Sequence, residues 1–179
     1  AYEQTGYWLD GMERLAELLG DRKLKAKAER SFDYVLQNAD PDGYLGPKLL
    51  KNSDGWNRWP HVVFFRAVMA KYSATGDLSL VEAVRRHYLE EPQRHNKARD
   101  VLNVEIMLWA YLKTGDKRLL DMAEKDFAEY NEQCKDDNCV KAQLSPKKAY
   151  AHGVTYNEYS KLGAILYSCT GKKEYLKPV

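Results

Sequence analysis

Apolar residues return every three to four positions along most of the chain, and the stretches that carry this period are of two kinds. Residues 4–19 hold Tyr7, Trp8, Leu9, Met12, Leu15, Ala16, Leu18 and Leu19, a wide apolar face. Residues 22–38 place Leu24, Ala28, Phe32, Val35 and Leu36 on one stripe and Arg22, Lys23, Lys25, Lys27, Glu29 and Arg30 elsewhere. The alternation continues downstream. Residues 62–75 are apolar nearly all round, 78–91 are one-sided, 101–112 are again all-round, 117–130 one-sided, and the stretch from Val154 to Tyr167 is mostly apolar. A helix that is apolar all round belongs inside, whereas a one-sided helix has a wet face. No period-two alternation competes with this reading, so the expected fold class is all-α.

The joints between the two kinds repeat. Tyr72-x-x-Thr75-Gly76-Asp77-x-x-Leu80, Tyr111-x-x-Thr114-Gly115-Asp116-x-x-Leu119 and Tyr167-x-x-Thr170-Gly171-Lys172-x-x-Tyr175 share one spacing, and Leu19-Gly20-Asp21-x-x-Leu24 is a shortened copy. The order is interior helix, tight turn, exterior helix, long loop, three times over, followed by a fourth interior helix. Gly20, Gly76, Gly115 and Gly171 are 56, 39 and 56 residues apart, so the loops vary in length. Such units bury an inner helix only by stacking side by side. An open solenoid and a closed α/α toroid both do this, and the contrast between all-round and one-sided helices favours the toroid. Three and a half αα-hairpins fill only part of a six-hairpin ring. The expectation is therefore an incomplete (α/α)6 barrel domain over residues 1–179, with the remainder of its own barrel as a partner. A start at Ala1-Tyr2-Glu3, with no initiator methionine or signal-peptide pattern, reads as an excerpt or a processed product.

Composition narrows the partners. With 179 residues and 44% hydrophobic content the chain can bury a core, and one domain is the natural prior. The 28 basic and 26 acidic side chains are interspersed and leave a net charge of +2, which indicates no nucleic acid partner. The most apolar run, 62–69, is broken by Arg66 and falls far short of the roughly 20 residues a bilayer needs, which indicates no membrane. Of the three cysteines, Cys134 and Cys139 flank a polar segment that fits either a local disulfide or two surface thiols, and Cys169 stands apart. No Gly-x-Ser-x-Gly nucleophile motif, phosphate-binding glycine loop or zinc-spaced Cys/His set is present.

In a hairpin ring the residues just before each interior helix converge on one mouth. These are Glu3, Tyr7 and Trp8; Trp56, Trp59 and His61; Arg99, Asp100, Asn103 and Glu105; and His152, Tyr156, Asn157 and Glu158. Aromatic rings among carboxylates, imidazoles and amides suit a sugar, whose C–H faces stack and whose hydroxyls take bidentate bonds. Each candidate has a plainer reading. Glu3, Asp100 and Glu158 sit where a helix N-terminus favours any carboxylate; Trp56 and Trp59 could lid a core, and His61 could be a satisfied buried imidazole. His152 has the stronger functional reading because Gly153 clears space beside it. His87 and His95, in charged surroundings, are expected on the surface. The pair of carboxylates that a glycosidase needs is not assignable by spacing.

Gly6-Tyr7-Trp8-Leu9-Asp10-Gly11, then Leu15-Ala16-x-Leu18-Leu19-x-Asp21, then Asp40-Pro41-Asp42-Gly43-Tyr44-Leu45-Gly46-Pro47 resemble the bacterial beta-L-arabinofuranosidase-like glycoside hydrolases, an (α/α)6-barrel group. His152-Gly153-Val154 with Glu158, Lys161 and Tyr167-x-x-Thr170-Gly171 is similar to the same family in the same order, so the resemblance spans nearly the whole chain. It implies hydrolysis of arabinose-containing or related plant polysaccharides and glycans. It further implies a glutamate acid/base and a cysteine nucleophile held on zinc by a Glu and further cysteines, at positions expected beyond Val179. The resemblance thus implies no metal or cofactor within this chain and zinc in the full-length enzyme. It places His152 on the sugar subsite, with His61 one or two residues out of register from another such position. Together with the residues at the helix mouths, the candidate substrate-binding set is His152, Glu158, His61, Trp59, Asp100, Asn157 and Glu3. A periplasmic or secreted bacterial location is expected, a cytoplasmic one being the alternative. An unsaturated glucuronyl hydrolase, with a catalytic Asp at an inner-helix mouth and no zinc, is the competing enzyme; a noncatalytic helical-repeat binding module is the competing class.

Overall fold

The computed structural model describes residues 2–51, 58–90, 95–133, 139–145 and 152–177. Those residues form nine α-helices and two 3₁₀ turns and no strand, so the fold is all-helical. The chain divides into two compact units, Ala1–Gln93 and Arg94–Val179.

The N-terminal unit contains α1 (Tyr2–Leu19), α2 (Arg22–Gln37), the single turn α3 (Lys48–Lys51), α4 (Trp59–Thr75) and α5 (Leu78–Leu89). The α4 helix starts at Trp59, three residues before its apolar run, because Pro60 lies in its first turn, where a missing N–H costs nothing. The α1 and α4 helices pack side by side, α2 lies against α1, and α5 against α4. Gly6 sets the α1–α4 approach: a Cβ there would stand 2.8 Å from the Phe64 nitrogen and 2.9 Å from the Val63 carbonyl carbon.

The second unit contains α6 (Asn103–Thr114), α7 (Lys117–Gln133), the single turn α8 (Val140–Gln143) and α9 (Gly153–Thr170), with 3₁₀ turns at Ala98–Leu102 and Lys173–Leu176. The first 3₁₀ turn takes up Val101 and Leu102, which the apolar run had assigned to the helix. The α6 helix packs against both α7 and α9.

The repeated joint has one physical construction. In each of the three full copies glycine ends the preceding helix in the left-handed region, at φ 70° to 72°, which a side chain would disfavour. The N–H groups of Gly76, Gly115 and Gly171 donate to the carbonyls of Tyr72, Tyr111 and Tyr167. Thr75, Thr114 and Thr170 each donate a hydroxyl to the carbonyl four residues back and accept the N–H two residues on. Asp21 and Asp77 then cap the helices that follow, accepting from Lys23, Leu24 and Ser79 amides. In the fourth joint Lys172 stands where an aspartate would and instead pairs with Glu124 at 2.5 Å.

Burial follows the two kinds of helix except on α1 and on α9, where Thr155, Tyr159, Leu162, Gly163 and Leu166 form one buried stripe. Val62, Val63, Phe64, Phe65, Ala67 and Val68 are buried on successive sides of α4, and Val104, Ile106, Met107, Leu108 and Ala110 on α6. On α1 only Gly6, Leu9, Glu13 and Ala16 are buried, while Trp8, Leu15, Leu18 and Leu19 are exposed. The stripe read as part of an interior helix thus faces outward among the described residues.

Candidate functional site

The candidate residues fall into both units. In the N-terminal unit, Glu3 lies half-buried in the first turn of α1. Trp59 is buried at the start of α4, tilted against Tyr7 at 6.5 Å, with the Arg66 guanidinium 5.7 Å over its ring. Trp56 lies outside the described residues.

His61 is buried and its Nε2 sits 2.9 Å from the Leu45 carbonyl. His87 grips the other side of the same residue, its Nδ1 accepting the Leu45 N–H at 3.0 Å. An imidazole nitrogen that accepts carries no proton, so His87 is neutral with its proton on Nε2. The Tyr44 ring stacks on His87 at 5.1 Å and meets His61 edge-on at 5.4 Å, and the two imidazoles are 4.8 Å apart. Residues 40–47 are thereby clamped onto α4 and α5. Lys51 closes the other end of the loop on Asp40, at 3.1 Å, and on Asp42.

His87 is therefore not the surface residue its charged neighbours implied. It shares a stripe with Leu80, Val84 and Tyr88, while Arg85 and Arg86 point away. His95 is likewise buried: its backbone N–H donates to Asp126 at 3.0 Å and its Nδ1 lies 3.4 Å from the same carboxylate oxygen. The spacing of Leu119, Ala123, Asp126, Phe127 and Tyr130 on the buried side of α7 was the signal for that pair.

In the second unit, Asp100 is buried in the 3₁₀ turn that leads into α6, and its carbonyl accepts from the Asn103 amide at 2.9 Å. His152 is the N-cap of α9; its Nδ1 faces the Thr155 amide at 3.5 Å and the Thr155 hydroxyl at 3.4 Å, and the residue is exposed. Asn157 is exposed in the next turn, its carbonyl accepting the Ser160 hydroxyl at 2.7 Å.

Glu158 is brought to a second carboxylate that the repeat analysis placed at another helix start. Lys161 Nζ lies 2.6 Å from Glu158 Oε2 and 2.9 Å from Glu105 Oε2, joining α9 to the first turn of α6. One ammonium thus bridges two carboxylates carried by different helices. All three side chains retain some exposure, between 17% and 37%.

Two further carboxylates have displaced behaviour. Burial pushes the Glu124 carboxyl up, but hydrogen bonds from Lys172 and from the Tyr175 hydroxyl, at 2.6 Å, outweigh it and hold the group below its ordinary value. Burial and the same bond push the Tyr175 hydroxyl well above its usual range. Glu13 moves the other way: desolvation between α1 and α4 raises it, against the pull of Lys71.

Among the described residues no group of three or more His, Cys, Asp or Glu side chains is placed to hold a metal ion. Cys139 is disulfide-bonded and Cys169 is a free, half-buried thiol, so neither fits a zinc-thiolate set; Cys134 lies outside the described residues. No described helix is long and apolar enough to cross a membrane. The chain matches no family model, no curated protein and no solved structure. What stands is a class: an all-helical protein whose helices are joined in hairpins by a repeated Thr-Gly turn.

Proposed function

We propose that this chain forms the sugar-binding part of an (α/α)-barrel glycoside hydrolase of the beta-L-arabinofuranosidase-like kind, acting on arabinose-containing plant polysaccharides or related glycans. The observation that carries the reading is the meeting of Glu158 and Glu105 at Lys161, at the starts of two neighbouring inner helices. Two carboxylates and an ammonium at a partly open helix mouth offer a sugar both acceptors and a donor. His152 and Asn157, exposed in the adjoining turns of α9, extend that polar edge.

On this reading the exposed Trp8–Leu15–Leu18 side of α1 packs against a further inner helix of the same ring, just as α1 itself packs on α4. On this reading any zinc and its thiolate ligands would be held by residues other than those described. The test is release of 4-nitrophenol from an aryl β-L-arabinofuranoside by the polypeptide carrying this chain, with Glu158→Gln and His152→Ala compared. A rise in KM in both variants supports the reading; kinetics unchanged in both remove this edge from the site. Asp100, buried at the entry to α6, favours a second reading as an unsaturated glucuronyl hydrolase, in which an inner-helix aspartate is catalytic. Turnover of an unsaturated glucuronide, abolished in Asp100→Asn and absent on the arabinoside, would select it.

A further inference from the structure

Within the N-terminal unit, the first turns of α1 and α4 and residues 45–47 enclose a cavity of about 140 Å³. Its walls include Thr5, Val35, Leu45, Leu50, His61 and Phe64. Tyr2 and Thr5 stand at an exposed rim, so the space opens to solvent beside α1.

Three features fix what it can hold. Its size is close to that of a cavity of about 150 Å³ that stays dry and admits benzene. Its walls are hydrocarbon apart from the Thr5 hydroxyl, the Tyr2 hydroxyl and an imidazole whose Nε2 is already engaged by the Leu45 carbonyl. Most of a hydroxyl-rich guest's water bonds would go unreplaced against these mainly apolar walls, whereas an apolar ring has none to lose. The walls are also set in advance: Leu45 is held at its N–H by His87 and at its carbonyl by His61, and Gly6 locks α1 against α4. A preformed cavity binds without the cost of ordering its own loop.

We propose that this cavity binds a single apolar ring of five or six atoms. The ring can arrive as the non-sugar group of a glycoside or as a free aromatic molecule; the first source rests on the glycoside-hydrolase reading, and the binding of a ring does not.

The test uses the chain in solution and phenol as the probe, followed by amide chemical shifts. Saturable shifts of residues lining the cavity, with a dissociation constant on the order of 1 mM, are expected. Thr5→Phe, at an exposed rim position, fills the mouth and should weaken phenol at least tenfold. Leu50→Ala enlarges the floor and should admit 2-naphthol, which the wild-type cavity excludes. No saturation by phenol, or an isotherm unchanged in Thr5→Phe, overturns the proposal whatever glycosides do. Phenyl and methyl β-L-arabinofuranosides separate the sources. A phenyl glycoside that binds tighter than both phenol and the methyl glycoside identifies a subsite for the non-sugar group. Binding of phenol alone keeps the ring site and counts against the sugar reading.

Discussion

Glu13 is 1% exposed on the face of α1 that packs against α4, and among the described residues neither of its carboxylate oxygens has a hydrogen-bond partner. Lys71, the cation whose attraction opposes its burial, instead approaches Glu29 at 3.9 Å and lies over the Phe32 ring at 5.2 Å. A buried polar group left unsatisfied costs about 1–3 kcal/mol, more when charged. Replacing it with a hydrocarbon of similar size removes that cost and adds apolar burial. Glu13→Leu should therefore stabilise the protein at pH 7 by about 2 kcal/mol, shifting a urea midpoint by about 1 M at a slope of about 2 kcal/mol/M. The sign with pH is fixed by the direction of the shift. The folded state holds the Glu13 proton more tightly than the unfolded chain, so the wild type loses stability as pH rises from about 4.3 through the raised value. The gain from Glu13→Leu should consequently be larger at pH 7 than at pH 4. Urea unfolding of both proteins at the two pH values checks this, because contributions shared by the two cancel in the difference. A variant destabilised at pH 7 would refute the reasoning and mean that the carboxylate is paired in solution.

Gly6→Ala gains helix propensity but drives a methyl into the Phe64 and Val63 backbone, so a net loss of roughly 1–2 kcal/mol in urea unfolding is expected. Glu124, held low by Lys172 and Tyr175, contributes stability that is complete above about pH 4.3 and is lost as pH falls through its folded value. Glu124→Gln should flatten that part of the acid limb, followed by thermal melts between pH 3 and pH 6. Lys161→Met leaves Glu105 and Glu158 facing each other; it should cost at most about 1 kcal/mol at low salt, and about 1 M NaCl should recover part of the loss by screening.

The helices and their joints were legible because each rests on a local rule. Thr-Gly-Asp encodes a left-handed end, a back-bonded hydroxyl and a new cap within three residues, so the hairpins needed no tertiary information. Polar residues on buried stripes were harder. Gly6, Leu9, Glu13 and Ala16 lie on one side of α1, and Leu80, Val84 and His87 on one side of α5, but neighbouring charges in the sequence concealed Glu13 and His87. Residues 40–47 hold two prolines and two glycines, which punctuate turns, but nothing in that stretch marks its anchor. Its two histidines come from positions 61 and 87, and only the packing of α4 against α5 brings them to one peptide.

The same packing separates what the candidate residues can do. In the N-terminal unit Trp59 lies buried beside Tyr7 and Arg66, and the His61 Nε2 meets a carbonyl, so both take part in the packing. In the other unit Glu158 and Glu105 remain partly open, but one ammonium joins them. A general acid must carry a proton, and a proton on either carboxyl would forfeit an ion pair with Lys161. An acid and base pair built here would have to displace that lysine first. A pair of acceptors for sugar hydroxyls would not, since ionised carboxylates accept as they stand. Under the glycoside-hydrolase proposal, binding is therefore the role this arrangement suits, with the bond-breaking groups supplied by other residues. Glu158→Gln separates the two roles: a binding acceptor raises KM with kcat little changed, whereas a catalytic carboxylate lowers kcat by orders of magnitude.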